Sequence, residues 1–138
     1  MRSLRTARTA VRTAAGVPPM LRLAAVVQAL EAVGLCLAAG LAAADVAAGQ
    51  TYQRSSGVAL VVLEFIVAAG LAAIASALAR SRPWSRTPAV MTQLLTGVIG
   101  IFLVQAGRYD WGTPALVLAF AGLAGLFAPA SLKALSRR

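Results

Sequence analysis

Four long apolar stretches separated by short polar segments dominate the chain. They cover residues 23–44, 58–78, 89–106 and 114–130. At a rise of about 1.5 Å per residue, even the shortest stretch reaches roughly 25 Å, close to the ~30 Å hydrocarbon core of a bilayer. The stretches are rich in Ala and Leu, are apolar on every side, and exceed the roughly 9–11 residues of a transmembrane β-strand. The pattern predicts an all-α fold, a four-helix transmembrane bundle with antiparallel neighbours.

This bundle is predicted to occupy residues 19–132, between two basic tails at 1–18 and 133–138. The first tail contains no acidic residue and is rich in Ala, Thr and Arg, a composition typical of disordered segments. Pro19 suits the first turn of a helix. A cleaved signal peptide is the alternative for the first stretch, since small residues precede Asp45. The stretch is longer than a signal-peptide core of roughly 7–15 residues and contains Glu31, so an uncleaved helix is favoured.

The composition supports the membrane assignment and gives an orientation. Hydrophobic residues make up 59% and charged residues 12% of the 138 residues, with a net charge of +9. Of the 13 Lys and Arg residues, only Arg54 and Arg108 fall in the first and third predicted loops. Positively charged flanks stay in the cytoplasm, so both termini are predicted to be cytoplasmic. The residues expected to set topology and bind anionic lipid head groups are Arg2, Arg5, Arg8, Arg12, Arg22, Arg80, Arg82, Arg86, Lys133, Arg137 and Arg138.

Aromatic residues occur near the predicted ends of the spans. Tyr52, Tyr109 and Trp111 fall at the outer interface and Trp84 at the inner one, where amphipathic rings prefer to lie. The basic N-terminal tail has no interleaved aromatic residues and directly precedes a membrane helix. Lipid, rather than nucleic acid, is therefore the expected partner of these charges.

Familiar catalytic chemistry is missing from the sequence. There is no His and a single Cys, Cys36, which excludes histidine bases, His-ligated metals and an internal disulfide. No phosphate-binding loop, nucleophile elbow or zinc-protease motif occurs. Glycines within the spans, such as Gly122 and Gly125, indicate close helix packing. We expect a non-enzymatic protein without cofactor or metal.

Polar residues inside the spans are the candidate functional residues, because charged groups in hydrocarbon are costly. Depths counted from the span ends place Gln28 and Gln93 together at about 6–7 Å from the inner edge, and Glu64 and Gln105 together at about 21–24 Å. Glu31 is predicted to lie alone, at about 12 Å.

The two carboxyls are interpreted differently. Glu64 is interpreted as a polar interhelical clip with Gln105, with Gln93 in a similar structural role. Glu31 has two interpretations. It either makes a structural hydrogen bond with Gln28, or forms with Gln28 a site that exchanges a proton or binds a cation, because burial disfavours the ionised carboxylate.

Two families resemble parts of the chain. Segments 80–94 (RSRPWSRTPAVMTQL) and 107–131 (GRYDWGTPALVLAFAGLAGLFAPAS) resemble small four-span integral membrane proteins of actinobacteria of unknown function, which implies a plasma-membrane location. Glu31 followed by Gly34 in the first span resembles small multidrug resistance transporters at the level of fold.

Two function classes follow from these observations. The leading hypothesis is a non-enzymatic accessory or interaction subunit of the cell envelope, acting within a larger membrane complex. The alternative is a small proton-coupled transporter or channel-like homo-oligomer that uses Glu31.

Overall fold

The computed structural model describes residues 16–50 and 53–136, and every regular element in these two ranges is helical. Four helices are long and apolar enough to cross a membrane, as predicted. Of the residues singled out above, Arg2, Arg5, Arg8, Arg12, Tyr52, Arg137 and Arg138 lie outside the described ranges. The elements are α1 (Pro19–Ala47), α2 (Arg54–Ala79), a 3₁₀ turn (Pro83–Ser85), α3 (Arg86–Gln105), α4 (Tyr109–Phe127) and α5 (Pro129–Ser136).

Prolines set two of the helix boundaries. α1 begins at Pro19, where the missing N–H and the fixed φ of proline are tolerated. The predicted span 114–130 is not one helix, because α4 ends at Phe127 and Ala128 has an extended ψ of 137°. Pro129 excludes the helical conformation from the residue before it and then starts α5. The predicted basic tail is therefore helical as far as Ser136.

Three of the long helices end in the same hydrogen-bonded turn. After α1, Gly49 adopts a φ of 72°, its N–H donates to the Val46 carbonyl at 3.2 Å, and the next N–H, of Gln50, donates to the Asp45 carbonyl at 3.0 Å. This is the Schellman arrangement, which satisfies carbonyls at the helix end. Gly107 after α3 and Ser81 after α2 take the same role, with φ of 77° and 51°. These short turns therefore supply hydrogen-bond donors to carbonyls in the last turn of each of the three helices.

The helices pack as two pairs joined along one seam. α1 packs along α2, α3 packs along α4, and the pairs meet where α1 packs along α4. α2 and α3 touch little beyond the segment that connects them. Glycine allows the close approaches at these contacts. A Cβ on Gly125 would lie 2.7 Å from the Met20 carbonyl oxygen across the α1–α4 seam.

The buried apolar core lies at one end of the molecule, which we call the packed end. Its members come from the start of α1, the end of α2, the start of α3, the end of α4, and α5. They are Leu21, Ala24, Ala25, Leu78, Ala89, Leu126 and Leu135. The short helix α5 thus covers the packed end rather than extending the fourth span.

Candidate functional site

Four polar side chains from α1 and α3 form a hydrogen-bonded network inside the bundle, which we call the polar cluster. Gln28 Nε2 donates to Glu31 Oε2 at 3.1 Å, and Gln93 Nε2 donates to the same oxygen at 2.9 Å. Gln93 Nε2 also lies 3.4 Å from Gln28 Oε1. Thr92 Oγ1 has one proton for two acceptors, Gln28 Oε1 at 3.1 Å and its own helix's Ala89 carbonyl at 2.9 Å. The cluster links the two helix pairs through side chains.

Helix geometry and one glycine assemble this cluster. Gln28 and Glu31 are three residues apart, so they share a face of α1. Gln93 reaches them from α3 across the surface of α4. A Cβ on Gly122 of α4 would lie 2.5 Å from Gln93 Cδ and Oε1. Gly122 therefore provides the space that the Gln93 side chain occupies.

Burial makes the hydrogen bonds of the cluster important. Gln28 and Gln93 are each 1% exposed, and a buried amide without partners is costly. Both amide nitrogens donate to the Glu31 carboxyl, so this carboxyl organises the cluster as an acceptor. Truncating Glu31 would leave two buried donors without their shared partner.

Two oxygens of the cluster are left without a hydrogen-bond partner. They are Glu31 Oε1 and Gln93 Oε1, and both are shielded from solvent. Thr96, one turn beyond Thr92 on α3, lies beside the Glu31 carboxyl without satisfying Oε1 by hydrogen-bond geometry. Each of these two oxygens therefore has acceptor capacity that no described group fills.

The structure brings together one pair of residues that the depth estimate matched, and it contradicts another prediction. The side chains of Gln28 and Gln93 are within hydrogen-bond distance of each other. Glu31 does not lie alone, since it bonds to both. The depth estimate counted rise along the helix axis and ignored the reach of the glutamine side chains, which span the difference in height.

The predicted clip between Glu64 and Gln105 is not formed. Glu64 is half-buried and its Oε2 is shielded without a hydrogen-bond partner, whereas Gln105 is exposed. The two residues were expected to meet because their helices follow each other in the chain. α2 and α3 contact each other little, so equal depth does not bring these side chains together.

The basic and aromatic residues lie on the surface near helix ends. Trp84, Tyr109 and Trp111 are exposed. Arg86 lies with its guanidinium carbon 5.8 Å from the centre of the Phe127 ring, a cation–π contact that joins the start of α3 to the end of α4. The described residues contain no group of three or more His, Cys, Asp or Glu side chains that could hold a metal ion.

Replacing Gly122 tests whether its missing side chain shapes the cluster. We expect Gly122→Ala to displace Gln93 and lower the unfolding free energy by about 1–3 kcal/mol, as overpacking does. Gly97→Ala is the matched control, since its Cβ would meet only the Ala119 Cβ at 3.6 Å. Thermal unfolding of the detergent-solubilised variants, followed by circular dichroism, measures the difference. Equal stability of the two variants would show that Gln93 is not confined by Gly122.

Comparison with known proteins adds no relative from which a role could be transferred. No protein-family model, curated protein or solved structure matches the chain. The two family resemblances therefore stay predictions, and the functional argument depends on the chain's own residues.

Proposed function

We propose that the chain is a non-enzymatic integral protein of the plasma membrane, with antiparallel helices and both termini in the cytoplasm. In this proposal it acts as an accessory or interaction subunit of the cell envelope and holds a partner membrane protein through α2. Four helices of sufficient length and apolarity support the membrane assignment. The likeness of segments 80–94 and 107–131 to actinobacterial four-span proteins agrees with this location.

Contacts between α3 and α4 support the antiparallel arrangement. A Cβ on Gly100 would meet Leu116 Cγ at 2.9 Å, and one on Gly112 would meet Val104 Cγ2 at 2.7 Å. Moving forward along α3, from Gly100 to Val104, thus moves backward along α4. This order is expected of two helices joined by a short turn.

The distribution of charge supports the orientation. Most of the described cations lie in the helix ends, the connecting turn and α5, which meet at the packed end. They are Arg22, Arg80, Arg82, Arg86 and Lys133. Arg54 and Arg108 flank the helix ends at the opposite end. A cytoplasmic packed end satisfies the positive-inside rule and lets the cations contact anionic head groups.

The observation that carries the interaction role is the unpartnered carboxyl of Glu64. This residue belongs to a stripe on α2 that is less exposed than its neighbours, with Val61, Ala68 and Leu71. Glu64 Oε2 is shielded yet makes no hydrogen bond. A carboxyl within a membrane normally bonds to a neighbouring helix. Only α1 of the described helices packs along α2, so this less exposed stripe faces α1. In this proposal a partner helix packed beside α2 supplies the donor that Glu64 Oε2 lacks.

A small proton-coupled transporter is the second candidate, favoured by the free oxygen of Glu31. The carboxyl lies in the bundle interior beside Gln28, and Glu31 Oε1 has no hydrogen-bond partner. A proton or cation held there would be exchanged in the course of transport. This role requires the carboxyl to titrate, whereas a structural role requires only its acceptor oxygen.

Cysteine labelling tests the orientation. In a Cys36→Ala background, Ser55→Cys and Thr113→Cys should react with an impermeant maleimide added outside intact cells. Thr87→Cys, near the packed end, should react only after permeabilisation, because it would face the cytoplasm. All three side chains are exposed. Labelling of Thr87→Cys alone in intact cells would reverse the proposed topology.

Replacing the Glu64 carboxyl tests the interaction role. The full chain, purified from its native membrane in mild detergent, should retain a partner membrane protein in fixed stoichiometry, measured by mass spectrometry. Glu64→Leu should weaken retention by about threefold or more, since an interhelical hydrogen bond contributes about 0.6–1.7 kcal/mol. Asp45→Asn, which removes an exposed carboxyl from α1, should retain it. Undiminished retention by Glu64→Leu, or a homo-oligomer alone, would contradict this role.

Glu31→Gln separates the structural role from transport. The variant keeps an acceptor oxygen for the Gln28 and Gln93 amides but cannot titrate. If Glu31 is structural, stability and insertion should be nearly unchanged, while Glu31→Leu should destabilise the bundle by about 1 kcal/mol. If the protein transports, Glu31→Gln should abolish proton-coupled flux in proteoliposomes. Proton coupling at the wild-type level in Glu31→Gln would eliminate the transporter.

A further inference from the structure

A long groove runs between α1 and α2 and opens to the surface of the molecule. Its volume is about 720 Å³. Six of the eleven lining residues are alanines, three on each helix, and their short side chains leave the space open. The lining includes Arg22, Ala29 and Val33 of α1 and Ala72, Ser76 and Ala79 of α2.

The length of the groove matches one leaflet of a bilayer. On α1 the lining runs from Arg22 to Val33, which at the helical rise is about 16 Å. Half of a ~30 Å hydrocarbon core is about 15 Å. A groove that begins at the packed end therefore reaches the middle of the membrane, the depth of a phospholipid acyl chain.

Charge distinguishes the two ends of the groove. Arg22 lines it at the packed end, and among the described residues of its lining none is acidic. Arg80 follows Ala79 at the same end and is exposed, and its Nε donates to the carbonyl of the lining residue Ser76 at 3.1 Å. The groove is thus apolar along its depth and cationic at its mouth.

We propose that this groove is a binding site for one anionic phospholipid. An acyl chain lies between the alanine walls, and the phosphate at the packed end contacts Arg22 and Arg80. Guanidinium groups bind phosphate through charge-assisted hydrogen bonds. Neutral lipid would fill the groove without this contact, so the site should select for head-group charge. The proposal requires a membrane location but no partner subunit at Glu64.

Photocrosslinking of lipid to the full chain in nanodiscs tests the site. The probes are phosphatidylglycerol and phosphatidylcholine, each with a photoactivatable group in the acyl chain. Phosphatidylglycerol should label peptides from 22–33 and 72–79 about fivefold more than phosphatidylcholine, the preference expected of a basic contact at the membrane surface. Arg22→Gln should reduce this preference, whereas Arg54→Gln, at the opposite end, should leave it unchanged.

Filling the groove gives a second, independent readout. Ala72 lines the groove, whereas its neighbour Ala73 does not, and both are exposed. Ala72→Phe should reduce groove labelling by about fivefold, and Ala73→Phe should not. Ala29→Phe on the opposite wall replaces Ala72→Phe if that variant fails to fold by circular dichroism.

Three results would overturn the proposal. Labelling that is unchanged by the groove-filling variants would place the lipid elsewhere. Equal labelling by the two lipids would remove selection for the anionic head group. A disulfide between two copies of an Ala29→Cys variant, in a Cys36→Ala background, would show that a second copy fills the groove.

Discussion

The polar cluster is the interaction on which the arrangement of the two helix pairs depends. Its hydrogen bonds join α1 to α3, two helices whose backbones are not packed along each other. In an apolar environment no water replaces a lost partner, so each buried amide fixes the position of the other helix. Glu31 accepts from both amides and Gly122 admits one of them. Residues from α1, α3 and α4 must therefore meet at one depth.

The overall fold could be predicted because apolar stretches of this length have few alternatives to helices. Even so, all four helices begin before the predicted spans. Polar or aromatic residues such as Arg54 and Tyr109 extend a helix without adding to its apolar run. The break at Ala128 was missed because the run of small apolar residues continues across Pro129. That proline was the available signal, and its effect on the preceding residue is local and general.

The site was only partly predictable. The sequence indicates how deep a residue lies along its span, but not which helices pack side by side. Gln28 and Gln93 were matched by depth, and their helices do bring them together. Glu64 and Gln105 were matched in the same way, yet α2 and α3 diverge. Thr92 and the specific role of Gly122 were missed. Thr92 precedes Gln93 directly, so a search for hydroxyl donors beside intramembrane amides would have found it.

The helices of the first pair are longer than those of the second, so the two pairs cannot fit the same bilayer in the same way. α1 and α2 contain 29 and 26 residues, and α3 and α4 contain 20 and 19, which correspond to about 43, 39, 30 and 28 Å. A ~30 Å core fits the second pair upright, so the first pair must tilt or protrude. Because α2 contacts α3 little, tilting of the first pair is opposed mainly by the α1–α4 packing and by the polar cluster. A change in bilayer thickness would then change the angle at which α1 crosses α4. Gly125, which allows the close approach of α4 to Met20 of α1, lies at this crossing.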